Sequence, residues 1–217
     1  MMLTMSVGNN DFSIIKSILK LHVPQGFIDL DPTYSKGNFY KHLPKPTLKY
    51  DISPQTSDTL QSCVTELPIK PDSLKCIIFD PPFLATSGPS LKKVSGNLIA
   101  KRFGVFQNEK VLHLFYLEAL KKLYTLLKQN GILIFKCQDK VSSGKNYFSH
   151  VIIMQQALNI GFYPKDLFIL LASSRVVANW QRNQQHARKF HSYYWVFEKR
   201  NSKIDYNGLI LNKEQQT

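Results

Sequence analysis

The chain has 217 residues, 43% of them hydrophobic, and carries a formal net charge of +13. That is enough chain for one well-filled core and ordinary for a globular domain. No apolar run is long enough to cross a bilayer, and the start, MMLTMSVGNNDF, lacks the basic lead and apolar core of a secretory signal. Cys63, Cys76 and Cys137 are scattered and form no CxxC pair. They read as reduced thiols, with Cys76 and Cys137 buried in strands, in a cytoplasmic protein.

In chain order, DFSIIKSILKLH is a helix with Ile14, Ile15, Ile18 and Leu19 on one face. GFIDLDP (26–32) is a short strand stopped by proline, and TLKYDIS (47–53) is a second strand. A short edge strand is expected around 64–68. LKCIIFD (74–80) is a buried strand. Residues 108–129 form the longest helix, with Val111, Leu114, Phe115, Leu120, Leu123 and Leu127 as its apolar stripe and QNG as its stop. GILIFKC (131–137) is another continuous apolar strand. A helix over 147–159 closes at Gly161, and DLFILLAS (166–173) and SYYWVFEK (192–199) are the last strands.

Strands that alternate with helices, several of them apolar on both faces, specify an α/β sheet covered on both sides. The last two strands lack a crossover helix, so they are expected to pair antiparallel. Residues 1–200 read as one domain and 201–217 as a polar, weakly ordered tail.

Ligands of such sheets bind beyond the carboxyl ends of the strands. Asp31, Asp51 and Asp80 all stand at such ends. A single Asp there caps a turn; three in register, one of them leading into Pro81, Pro82 and Phe83, point to chemistry. The two prolines cannot continue a sheet ladder or enter a helix interior. They fix an extended segment that offers a carboxylate, carbonyls and a ring.

DLDPTYSKGNFY (29–40) is a strand followed by a small-residue turn. It is neither a GxGxxG fingerprint nor a Walker loop. With Asp51 placed to accept ribose hydroxyls, it suggests an adenosine-containing cofactor with few phosphates. Two stretches, 84–108 and 167–197, contain no acidic residue. They carry Lys92, Lys93, Lys101 and Arg102, and Arg175, Arg182, Arg188 and Lys189, interleaved with aromatics. That pattern suits phosphate contact and base stacking. None of the six histidines sits in a metal-ligand pattern, so no metal is expected.

Together DPTYSKGNF, the strand-end Asp51, IIFDPPF, GILIFKCQD and HARKFHSYYWVFEK resemble the amino-methylating nucleic-acid methyltransferases with a [DNS]PP[YF] signature. The resemblance runs from about residue 27 to 199. It implies a Rossmann-like class I methyltransferase sheet, mostly parallel with an antiparallel last strand and helices on both faces. It implies S-adenosylmethionine as cofactor, with Asp31, Pro32, Thr33, Tyr34, Ser35, Gly37, Asp51 and Asp80 around it. Ser35 stands where that family's loop has its first glycine, and the acid that the family often has near Cys63 for the adenine is missing at that spot, with Glu66 and Asp58 as imperfect substitutes.

The resemblance gives DPPF a task. An exocyclic amine is a poor nucleophile because its lone pair is delocalised into the ring. The Asp80 carboxylate and the Pro81 carbonyl, fixed by Pro81 and Pro82, would each accept an N–H and aim the lone pair, while Phe83 stacks on the base. A base in a duplex must be turned out to reach them. The expected reaction is methylation of adenine N6 in DNA. Cytosine N4, RNA adenine N6 or guanine N2, and a catalytically inactive nucleic-acid-binding relative remain open. The chain has no separate target-recognition domain of ordinary size, so recognition falls to its loops, a partner, a second copy or a relaxed specificity.

Overall fold

A computed structural model describes residues 3–83, 85, 106–142, 144–172 and 186–200. Its centre is a sheet of eight strands in the order β4-β3-β2-β5-β6-β10-β9-β1. These are β1 (Val7–Gly8), β2 (Leu30–Asp31), β3 (Leu48–Asp51), β4 (Leu60–Gln61), β5 (Leu74–Phe79), β6 (Leu127–Cys137), β9 (Phe162–Leu171) and β10 (His191–Lys199). Among the described residues the α-helices are α1 (Asp11–His22), α2 (Glu109–Leu126) and α3 (Ser149–Ile160). β10 runs antiparallel to both its neighbours, β6 and β9, and every other pairing in the sheet is parallel. The expected mostly parallel sheet with an antiparallel last strand is what forms.

Period-two alternation explains the continuous apolar runs. Ile77 and Phe79 of β5, with Leu133 and Phe135 of β6, face one core, which holds Tyr116, Leu120 and Leu123 of α2 and Ile153 and Ala157 of α3. Cys76 and Ile78, with Ile132 and Ile134, face the other, which holds Ile14, Ile15 and Ile18 of α1. Burial of both thiols follows from this alternation.

The structure corrects several details. Residues 64–66 form a 3-10 turn, and the edge strand lies earlier, at Leu60–Gln61. Helix α2 ends at Leu126, before QNG. Asn130 takes a positive φ of 63° inside β6, where the β5–β6 register shifts, so QNG serves a bulge rather than a helix stop. The ammonium of Lys199, from the end of β10, binds the carbonyls of Tyr124 (3.0 Å) and Leu127 (2.8 Å) and so caps the helix from outside. The α2 stripe is also out of phase at its start. Val111 and Leu114 are exposed, while Leu112, His113 and Tyr116 are buried. Strand β1 and the hairpin β7 (Lys140–Ser142) with β8 (Lys145–Tyr147) had no counterpart in the sequence reading. Among the described residues no helix is long and apolar enough to cross a membrane.

The chain leaves β2 outward to β3 and β4, then returns to the other side of β2 as β5. β2 and β5 therefore flank the point where the strand order reverses, and a crevice opens there beyond their carboxyl ends.

Candidate functional site

Asp31 ends β2 and is only 2% exposed. Its Oδ1 accepts from the Thr33 backbone N–H (2.8 Å) and hydroxyl (3.0 Å), and its Oδ2 accepts from the Tyr40 hydroxyl (2.7 Å). Burial pushes its carboxyl up to about 7, against the pull of those hydrogen bonds and with some help from the charge of Asp80. Asp31 thus builds the loop from inside. The same Thr33 hydroxyl accepts the Asp80 backbone N–H at 3.0 Å, which ties this loop to the end of β5.

The loop then makes two left-handed residues. Ser35 has φ 51°, the conformation for which glycine is the usual residue, and it sits at the position where the resembling family has glycine. Its backbone N–H donates to Oδ2 of Asp51 at 2.8 Å, which anchors a conformer that costs a non-glycine residue about 1–2 kcal/mol. Gly37 has φ 67°, and a Cβ there would lie 2.5 Å from the Tyr34 hydroxyl, so glycine is required. Asp51 ends β3, and its Oδ1 accepts from the Ser53 N–H at 2.8 Å.

Asp80 follows β5 directly, with its side chain 25% exposed. Its Oδ1 is buried without a hydrogen-bond partner among the described residues. Burial raises its carboxyl above the usual carboxylate range, the Lys136 ammonium opposes that, and Asp11 adds to it. Beyond it the chain turns toward α2. The Tyr116 hydroxyl donates to the Pro82 carbonyl at 2.8 Å, and Lys140 donates to the Phe83 carbonyl. Lys140 is in turn held 3.0 Å from the buried Glu109. No described residue donates to the Pro81 carbonyl.

These pieces enclose a cleft of about 450 Å³ lined by Asn10, Asp11, Phe12, Asp31, Thr33, Tyr34, Ser35, Phe39, Tyr40, Asp80 and Lys136, among others. Asp31, Thr33, Tyr34, Ser35 and Asp80, five of the residues named from the sequence, line this one cleft. Asp51 and Gly37 shape the loop from behind. Of the basic residues, Arg188 is exposed and Lys189 half-buried just before β10, the Lys189 ammonium 5.6 Å from the ring of Phe148. Lys92, Lys93, Lys101, Arg102, Arg175 and Arg182 lie outside the described residues.

The sequence reading missed Asp11, Phe39, Tyr40 and Lys136 in the cleft, and Tyr116 and Lys140 behind DPPF. Lys136 carried a signal, as the one charge within the apolar run GILIFKC. Three carboxylates and several rings around one cleft suit an organic cation. Among the described residues no group of three or more His, Cys, Asp or Glu is arranged to hold a metal ion.

No protein-family model and no curated protein matches the chain. Solved structures do. A Haloferax volcanii protein assigned as a methyltransferase, in complex with the Trm112 methyltransferase activator, is 12% identical with a TM-score of 0.51, over 88% of this chain and 90% of that one. A SAM-dependent methyltransferase of Thermotoga maritima is 14% identical with a TM-score of 0.45, over 87% and 89%. The PvuII cytosine-N4-specific DNA methyltransferase is 15% identical with a TM-score of 0.48, over 69% of this chain and 51% of that one. The chain spans about half the length of the DNA methylases it matches. The Haloferax likeness and the strand order establish the fold as the class I, Rossmann-like methyltransferase sheet.

Proposed function

We propose that the protein transfers the methyl group of S-adenosylmethionine to an exocyclic amine of a nucleic-acid base, N6 of adenine in DNA, with the base turned out of the duplex and presented to Asp80, Pro81, Pro82 and Phe83. The observation that carries this reading is the Asp80 carboxylate at the strand-order switch point, with a buried oxygen that no described residue satisfies. A buried acceptor left unpaired costs about 1–3 kcal/mol, so its persistence is a sign of use.

The residues present fit the cofactor. Its sulfonium is cationic, and the cleft is rich in carboxylates and rings. Asp31, Pro32, Thr33, Tyr34, Ser35 and Gly37 would form the loop beneath it, and the Asp51 carboxylate would accept from the ribose hydroxyls. When bound, S-adenosylmethionine supplies an electrophilic methyl carbon on sulfur. The protein's own work is positioning. Asp80 Oδ1 and the Pro81 carbonyl accept the two amine protons, which turns the nitrogen lone pair toward the cleft. On taking the methyl group, with the carbon–sulfur electrons left on sulfur, the nitrogen would become positive, and the Asp80 carboxylate would stabilise that charge until one N–H proton passed to solvent. Tyr116 and Lys140 keep the Pro82 and Phe83 carbonyls out of competition for the amine. Arg188 and Lys189, with the basic residues of the undescribed segments, would meet the phosphates.

The test is incubation with isotopically labelled S-adenosylmethionine and either DNA or RNA, followed by nucleoside analysis. Label in N6-methyladenine of DNA is expected. Label in N4-methylcytosine, or only in RNA, would correct the target. Cofactor binding with no transfer to any nucleic acid would favour the inactive relative.

A further inference from the structure

A chain of polar and charged groups runs through the cleft on the α1 face of the sheet, from β10 to the end of β5. The Tyr194 hydroxyl, on β10, donates to the Asp11 carboxylate in the first turn of α1. The Lys136 ammonium, on β6, stands 3.0 Å from that carboxylate and 3.5 Å from Oδ2 of Asp80. The rings of Phe39 and Tyr194 flank it at 4.9 and 5.5 Å. Lys136 is only 12% exposed, so four separate elements hold this one cation in place. Its partner Asp80 is left with one oxygen committed and one unpaired.

We propose that Lys136 is the positioning residue of the Asp80 carboxylate: its ammonium, held by Asp11 and Tyr194, takes Oδ2 and leaves Oδ1 as the acceptor for the target amine. The consequence for catalysis rests on the methyl-transfer reading; the ion chain itself does not. A buried carboxylate with no counter-charge takes up a proton. Protonated, it presents an O–H where an N–H must be accepted, and it cannot stabilise a cation. A lysine suits this place because a compact ammonium binds one oxygen, whereas a guanidinium fork tends to take both. Asp11 balances the arrangement. Asp11, Lys136 and Asp80 together carry one net negative charge, so the site stays favourable to a cationic reaction centre although a lysine lies beside it.

The groups that face Asp80 make a signed test. They are Asp31 from β2, Asp11 from α1, Tyr116 from α2, Lys136 and Cys137 from β6, and Tyr194 from β10. Lys136 alone among them is positive. Burial by itself would lower the pKa of Lys136, but the two carboxylates outweigh it and raise it, so it stays charged across the working range. Removing it should make Asp80 harder to ionise, and neutralising Asp11 should make Asp80 easier to ionise.

The experiment titrates the side-chain carboxyl carbon of Asp80 by NMR in the full chain labelled at Asp, with the signal assigned by its loss in Asp80→Asn. In Lys136→Met the midpoint should rise by about one pH unit or more, and in Asp11→Asn it should fall. A midpoint that stays in place in Lys136→Met, or that does not fall in Asp11→Asn, overturns the proposal. If Lys136→Met does not fold, Lys136→Gln, which also removes the charge, takes its place with the same expected rise. In methyl transfer, the acid limb of kcat for Lys136→Met should move up with the NMR midpoint, while KM for the cofactor stays within about threefold; an acid limb that stays put overturns the catalytic role. Opposite NMR shifts in a protein that methylates no nucleic acid would refute the methyl-transfer reading and leave the ion chain standing.

Discussion

The two sides of the DPPF segment have opposite electrical character. On the α1 side the cleft gathers the carboxylates of Asp11, Asp31 and Asp80 with Phe39 and Tyr40, and its buried cation is Lys136. On the α2–α3 side the buried acids have close partners: Glu109 lies against Lys140, and Asp139 lies 2.8 Å from His150. Arg188 and Lys189 are among the groups that side presents outward. The sheet keeps the two apart by alternation, with Tyr194 pointing to the α1 core and Tyr193 to the other. One strand end can thus serve two ligands of opposite charge. The acid side suits a cationic cofactor and the basic side a polyanion, and they meet where Asp80 precedes the clamped carbonyls of Pro82 and Phe83.

The strongest way to break this division is at its meeting point. Asp80→Ala should lower methyl transfer by about a thousandfold or more while cofactor binding changes only a few fold, because on the proposed function the lost group holds the target amine. Single-turnover transfer and calorimetric cofactor binding measure the two separately. Near-normal turnover would remove Asp80 from the chemistry.

The acid side has a cost of its own that pH can expose. The Asp31 carboxyl, pushed by burial from the ordinary carboxylate range up to about 7, favours the folded state while protonated. That contribution is complete below about pH 4 and disappears as pH rises through about 7. Asn mimics the protonated form. The stability of Asp31→Asn relative to the parent should therefore grow with pH, by up to about 4 kcal/mol between pH 4 and 8. Denaturant melts across that range measure it, and a pH-independent difference would show that Asp31 is ionised in the fold at no cost.

Asp51 tests the loop between them. Asp51→Ala strands the N–H groups of Ser35 and Ser53 and removes the acceptor proposed for the ribose. Cofactor affinity should fall about ten- to a hundredfold, matching a loss of about 1.5–3 kcal/mol. An unchanged dissociation constant would make Asp51 a strand cap and nothing more.

The sheet and the three strand-end acids were legible for one reason: CIIF and ILIF must be buried on both faces, and an Asp that ends such a run has to reach a crevice. Other features were hidden by degenerate signals. An Asn-Gly that stops a helix looks the same as one that bulges a strand, so α2 was read too long. Its stripe was misphased because His113 and Tyr116, residues with polar tips, hold buried places that Val111 and Leu114 were expected to fill. Asp11 read as an ordinary first-turn acid and Lys136 as a stray charge, because their 3.0 Å contact exists only after α1 has packed on the sheet beside β6. No local pattern encodes such a meeting.

The smallest expected effect falls on the basic side. Each cation that neutralises a duplex phosphate contributes about 0.9 to the slope of log affinity against log salt. Replacing Arg188 and Lys189 together with Gln should flatten that slope by up to about 1.8 and weaken binding equally for all sequences. For a single strand the corresponding change is about 1.4. Cofactor affinity should stay as in the parent, because neither residue lines the acid cleft. The measurement is a titration of a fluorescent duplex and a matched single strand at several salt concentrations. A parent whose affinity ignores salt would break the comparison outright, since the +13 charge would then serve something other than phosphates. A parent with a steep slope that the double substitution leaves intact would instead move the phosphate contacts away from Arg188 and Lys189 and toward the basic residues at 92–102 and 175–182.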